Sequence, residues 1–147
     1  MSETISSFLT KDHRACDEVF ATMENAVQKE DWADANKQFD TFYDDLEHHF
    51  KMEEEIMFPA FEERTGMVGG PTAMMRMEHE QMRSVVSQMR GDLDSKNKNH
   101  FFGLSESLMM IIQQHNMKEE QMLYAMADNH LGSDAFAVVE KMKELQK

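Results

Sequence analysis

Glu47-His48-His49-Phe50-Lys51-Met52-Glu53-Glu54-Glu55-Ile56-Met57-Phe58-Pro59 is the stretch from which both fold and site can be read. His49 and Glu53 are four residues apart, and helical side chains at i and i+4 lie one above the other on one face. The apolar row Phe39, Phe42, Leu46, Ile56 and Ala60 runs along that face. An imidazole and a carboxylate therefore point into a core. Burying either one unpaired is costly, so the core is expected to hold something that binds both.

The stretch has a twin 66 residues on, His115-Asn116-Met117-Lys118-Glu119-Glu120-Gln121-Met122-Leu123-Tyr124. At this offset His49 aligns with His115, Glu53 with Glu119, Glu54 with Glu120, Ile56 with Met122 and Phe58 with Tyr124. Asp12-His13 aligns with Glu78-His79 at the same offset. A repeat of this kind decides architecture. The unit is a helical hairpin present twice, about 5–65 and 71–131, within one domain of residues 1–147.

Outward from the twin stretches, the periodicity predicts four long helices. The first runs from about Thr4–Ser6 to Gln28, with Leu9, His13, Cys16, Phe20, Met23 and Val27 three and four apart, the stripe of a bundle helix. The second starts near Asp31, a fitting N-cap, and Pro59 is expected to bend it or end its regular part. The third starts at Pro71 or Thr72 and carries Met75, His79, Met82, Val86, Met89 and Leu93, aligning one for one with the first stripe. The fourth runs from about His100 to Ala127, with Leu108, Ile112, His115, Glu119, Met122 and Met126 inward. Ser133 or Asp134 could cap a short C-terminal helix packing through Phe136, Val139 and Met142. The expected class is all-α, an antiparallel up-down-up-down four-helix bundle with a short C-terminal helix.

His13, His49, Glu53, His79, His115 and Glu119 thus converge at one level of the core. Facing helices of bundles build metal sites in this way. Imidazole suits iron, zinc, copper or nickel, and carboxylates favour harder ions. Four imidazoles and two carboxylates exceed the needs of one tetrahedral zinc. They suit two octahedral ions bridged by both carboxylates, each with two histidines and an open position for a small molecule. A metal-free His–Glu hydrogen-bond network is the competing use of these groups, and it requires mutual partners inside the core. Glu54, Glu55 and Glu120 read as a solvated face. Asp12, Glu78, Tyr43 and Tyr124 are candidates to hold the ligands from behind.

Asp12-His13, His49-Phe50-x-x-Glu53-Glu54-x-x-x-Phe58-Pro59, Glu78-His79 and His115-x-x-x-Glu119-Glu120-x-x-x-Tyr124, in this order, resemble the hemerythrin-like (HHE cation-binding) proteins. The resemblance spans roughly Leu9 to Ala127. It implies a non-haem di-iron centre, two iron ions joined by an oxo or hydroxo bridge, with Glu53 and Glu119 also bridging. It also implies that His13 and His49 hold one iron and that His79 and His115 hold the other. Oxygen-carrying members have a further histidine one turn before the third-helix ligand, and Met75 stands there in this chain. A thioether is a poor ligand for ferric iron, which leaves His48 or an outside ligand to complete the site. The spacing from His115 to Glu119 is four where the carriers use five. Both departures resemble members associated with nitric oxide, peroxide or iron–sulfur cluster repair.

Composition narrows the functions. With 15 basic and 28 acidic residues the formal charge is −13, against binding nucleic acid or an anionic membrane surface. The single cysteine, Cys16, excludes an intramolecular disulfide or multi-cysteine cluster. No run of roughly 20 apolar residues could span a bilayer, and the first residues lack a signal-peptide pattern. The expected setting is cytoplasmic. No nucleophile elbow or phosphate-binding glycine loop is present. The expectation is a centre that binds or processes dioxygen, nitric oxide or peroxide. An iron- or oxygen-responsive sensing or iron-handling module is the alternative.

Overall fold

The computed structural model describes residues 3–146, so residues 1, 2 and 147 of the expected 1–147 unit lie outside the described residues. Its elements are α1 (Ile5–Gln28), α2 (Trp32–Met52), a π-helical turn (Glu53–Met57), α3 (Phe58–Thr65), α4 (Pro71–Asp94), α5 (Lys98–Lys118), a second π-helical turn (Glu119–Leu123), α6 (Tyr124–Leu131) and α7 (Ala135–Glu144). The π turns join α2 to α3 and α5 to α6 in two continuous rods, which form a four-helix bundle with α1 and α4.

Local chemistry sets the ends. The Thr4 hydroxyl accepts from Ser7 N–H and the Ser7 hydroxyl accepts from Thr4 N–H, each at 2.9 Å, a reciprocal cap for α1. Asp128 of α6 accepts from the N–H groups of Ile5 and Ser6 at 2.8 and 3.0 Å, placing a carboxylate where the helix dipole favours it. Asp31 caps α2 and its offset twin Asn97 caps α5. The residues before them, Glu30 and Lys96, both adopt left-handed backbone, with φ of 56° and 55°. Each hairpin thus turns through the same conformation without glycine.

The π turns correct two expectations. The regular part of the second helix breaks off at Glu53, not at Pro59; the α pattern resumes at Phe58, with Pro59 in the first turn of α3. Phe58 N–H bonds to Glu53 C=O and Tyr124 N–H to Glu119 C=O, each five residues back. Proline is not the common cause, because Ala125 stands at the equivalent place. Where Pro59 lacks a donor, the Arg76 guanidinium reaches the Glu54 carbonyl at 3.2 Å.

Each π turn also inserts one residue and rotates the stripe beyond it. Met57, Phe58 and Phe61 are buried while Ile56 and Ala60 are only partly so. Leu123, Tyr124 and Ala127 are buried, whereas Met122 is 62% exposed. Phe136 is likewise out in solvent, and α7 packs through Val138, Val139 and Met142 instead. The first and third stripes are buried as expected.

Two apolar clusters result. One contains Phe20, Phe39, Phe42, Met82, Val86 and Leu108; the other contains Leu9, Phe58, Met75, Leu123, Tyr124 and Met142. The four buried histidines and two buried glutamates fall between them. Among the described residues, no helix is long and apolar enough to cross a membrane.

Candidate metal centre

The bundle brings the six sequence-predicted side chains together. His13 comes from α1, His49 from α2, His79 from α4 and His115 from α5, and each π turn opens with its glutamate. All six are at most 4% exposed. They form two groups able to hold an ion, His13–His49–Glu53–Glu119 and Glu53–His79–His115–Glu119. Within each group the candidate ligand atoms lie within 4.8 Å of one another. Both glutamates belong to both groups.

Every ring is held from behind through Nδ1. Asp12 meets His49 at 2.7 Å and Glu78 meets His115 at 2.8 Å. Glu54 meets His79 at 2.6 Å and Glu120 meets His13 at 2.8 Å. These contacts are two pairs related by the offset of 66. Asp12 and Glu78 serve the next helix of their own hairpin, not the histidine they precede. Glu54 and Glu120 reach across to the other hairpin. They are half-buried ring partners, which corrects the expectation of a solvated face. The signal available in the sequence was their exact repetition, since a purely solvated acid needs no counterpart. An imidazole that donates from Nδ1 to a carboxylate presents the Nε2 lone pair inward.

What those inward atoms meet decides between metal and a hydrogen-bond network. Nε2 of His49, His79 and His115, Glu53 Oε1 and Glu119 Oε2 are buried without a hydrogen-bond partner. They are close, with His79 Nε2 3.0 Å and His49 Nε2 3.6 Å from Glu53 Oε1, and His115 Nε2 3.2 Å from Glu119 Oε2. None of these contacts makes a hydrogen bond, as expected of groups that face common points. A network would leave no such set of orphans. Among the described residues, Glu53 and Glu119 form ion pairs only with histidines.

The electrostatics fit a cation. Burial raises the Glu53 carboxyl pKa, but the His49 charge and the hydrogen bonding around it win and hold it well below the usual range. Burial lowers the His49 pKa, but Glu53 and Asp12 together hold it well above the ordinary value. His115 is raised to about 8, its desolvation outweighed by Glu119, Glu53 and Glu78. Glu54 is lowered to about 2, because hydrogen bonds from His79 and Arg83 outweigh its desolvation.

Tyr124 breaks the two-fold pattern. Its buried hydroxyl donates to Glu53 Oε2 at 2.6 Å and lies 2.9 Å from Glu119 Oε1 and 3.1 Å from His13 Nε2. Burial and the two carboxylates keep it protonated, its pKa well above the ordinary phenol value. The offset twin is Phe58, which stacks on His79 as Tyr124 stacks on His13. Tyr43 is exposed and away from the six. His48 bonds through Nε2 to the Leu145 carbonyl at 3.0 Å and is not free to complete the site. Met75 is buried in the apolar cluster beside Leu9 and Phe58.

A cavity of about 20 Å³ adjoins the centre, lined by His13, His49, His115, Cys16, Met82 and Asn116 among others. That is room for one water-sized guest. Burial pushes the Cys16 thiol up to about 12, so it stays protonated at neutral pH.

The sequence model of the hemerythrin HHE cation binding domain matches residues 4–127. No curated protein and no solved structure matches the chain. The match spans both π turns and all six inward residues, so the chain belongs to the hemerythrin HHE cation-binding family.

Proposed function

We propose that His13, His49, Glu53, His79, His115 and Glu119 hold two iron ions and that the centre binds or processes a small oxidant or gas, namely dioxygen, nitric oxide or peroxide. His13 and His49 would serve one ion, His79 and His115 the other, and Glu53 and Glu119 both. The observation that carries this reading is the set of five buried, inward-facing atoms without hydrogen-bond partners. When bound, iron supplies Lewis acidity and a change of oxidation state.

The chain's own residues do the rest. Asp12, Glu54, Glu78 and Glu120 hold each ring in the tautomer that turns Nε2 inward. Tyr124 keeps a proton beside both inner carboxylates. The apolar clusters above and below exclude bulk water, and the small cavity limits the guest to a few atoms. The helix arrangement is read as antiparallel, supported by contacts of Ile5 with Asp128 at one end and Glu24 with Ser105 at the other.

Metal analysis and the visible spectrum of protein purified in air test the reading. About two irons per chain are expected, as six ligands on two ions allow, with His49→Ala and Glu119→Ala lowering that content. Dioxygen, peroxide and nitric oxide are then added to the reduced protein. A reversible dioxygen adduct marks a carrier, and repeated turnover of peroxide or nitric oxide marks an enzyme. Protein that stays metal-free after anaerobic reconstitution with ferrous iron overturns the proposal.

A further inference from the structure

The two faces of the bundle that flank the centre are twins at the offset of 66, yet they are built differently. On the α2–α4 face, Phe50 stacks on His79 with ring centres 3.9 Å apart and planes at 18°. The Arg83 guanidinium lies 4.9 Å from the Phe50 ring. Arg83 also bonds Glu47 at 2.9 Å, Glu54 at 3.0 Å and Glu80 at 2.6 Å. Ring and guanidinium together form a two-layer plug. The surface grooves beside Arg83 share no lining residue with the internal cavity.

On the α1–α5 face the same positions carry Asn116 in place of Phe50, Asp17 in place of Arg83 and Gln113 in place of Glu47. Among the described residues, no side-chain hydrogen bond or ion pair joins Arg14, Asp17, Gln113 and Asn116. A groove of about 390 Å³ lies there. His13, Asp17 and Asn116 line both this groove and the internal cavity. Among the described residues, the cavity thus shares its lining with the groove on this face and with neither groove beside Arg83.

We propose that small molecules and metal reach the centre through the α1–α5 face, with Asn116 and Asp17 as its entrance, while Phe50 and Arg83 bar the equivalent face. The part concerning metal and gas rests on the proposed function; the route to the cavity does not. The mouth carries Asp17 and Glu120 against one cation, Arg14, so its acidic balance suits a divalent cation or a neutral molecule better than an anion.

Cys16 lines the cavity and reports on the route without any iron. In metal-free protein, methylmercury labelling of Cys16 is timed in wild type, Asn116→Phe and Phe50→Asn. Asn116→Phe copies the plug and should slow labelling about tenfold, since close-packed interiors pass molecules only by opening. Phe50→Asn should not slow it. The milder Asn116→Leu, with helicity checked in every variant, separates blocking from misfolding and should slow labelling by a smaller factor. Ferrous uptake by apo-protein and nitric oxide association with loaded protein should slow in the same order, with final iron content unchanged. Labelling of Asn116→Phe and Asn116→Leu at the wild-type rate overturns the entrance. So does acceleration by Phe50→Asn with no effect at Asn116, which would assign entry to the α2–α4 face. A wild type that takes up no iron overturns the metal reading while the labelling result still decides the route.

Discussion

The α2–α4 and α1–α5 faces carry the same inner chemistry and different outer chemistry. Each has an imidazole held by a carboxylate from the opposite hairpin, His79 by Glu54 and His13 by Glu120. One layer out, the first face is closed by Phe50 and Arg83, and the second presents Asn116 and Asp17. A duplicated hairpin can hold two equivalent ions only if its inner residues stay matched. Nothing in that requirement constrains the outer layer, where a closed side and an open side divide the labour. Tyr124 opposite Phe58 is a difference that reaches the inner layer.

The largest test of this comparison is Tyr124→Phe, which makes the two positions alike. Glu53 Oε2 then loses its donor inside the core, so metal-free protein should lose about 1–3 kcal/mol of stability. Urea unfolding measures this. On the proposed function, the same substitution in iron-loaded protein should cost less, because the carboxylate oxygens would then have the ion as a partner. Equal costs in both forms would mean that the hydroxyl does not share its acceptors with metal.

The outer layer gives the next effect. Arg83→Ala removes contacts to three carboxylates and an aromatic face, and should cost about 1–2 kcal/mol. Its twin Asp17→Ala should fall within about 0.5 kcal/mol of wild type, as surface changes without partners do. Similar losses at both positions would erase the distinction between a sealed face and an open one. The smallest effect belongs to the hairpin turns, where the two halves do match. Glu30→Gly and Lys96→Gly each relieve a left-handed residue and should stabilise by about 0.5–1 kcal/mol, alike in both hairpins. Thermal unfolding of the two variants checks that equality.

The sequence was a good guide wherever a side chain's place follows from helical period alone. The stripes of α1 and α4 are buried residue for residue, and the six inward polar groups converge, because matched intervals on four helices set a common level. The reading slipped just past Glu53 and Glu119. There Met57 and Leu123 are the inward residues instead of Ile56 and Met122, because a π turn adds a residue that no local propensity announces. Glu54 and Glu120 escaped for a related reason. Their partners lie on the other hairpin, and the charge of a side chain does not reveal which neighbour it will face.

Residue identity and spacing in the sequence were enough to establish the helical class, the twofold repeat and the inner set of histidines and glutamates. These properties depend on periodicity, which is local. The π turns, the four outer carboxylate partners, the placement of Tyr124 over both glutamates and the difference between the two faces are visible only in the folded structure. The carboxylate partners, the Tyr124 contact with Glu53 and the sealed face rest on contacts between residues from 25 to more than 100 positions apart, and their geometry is decided by how the helices meet.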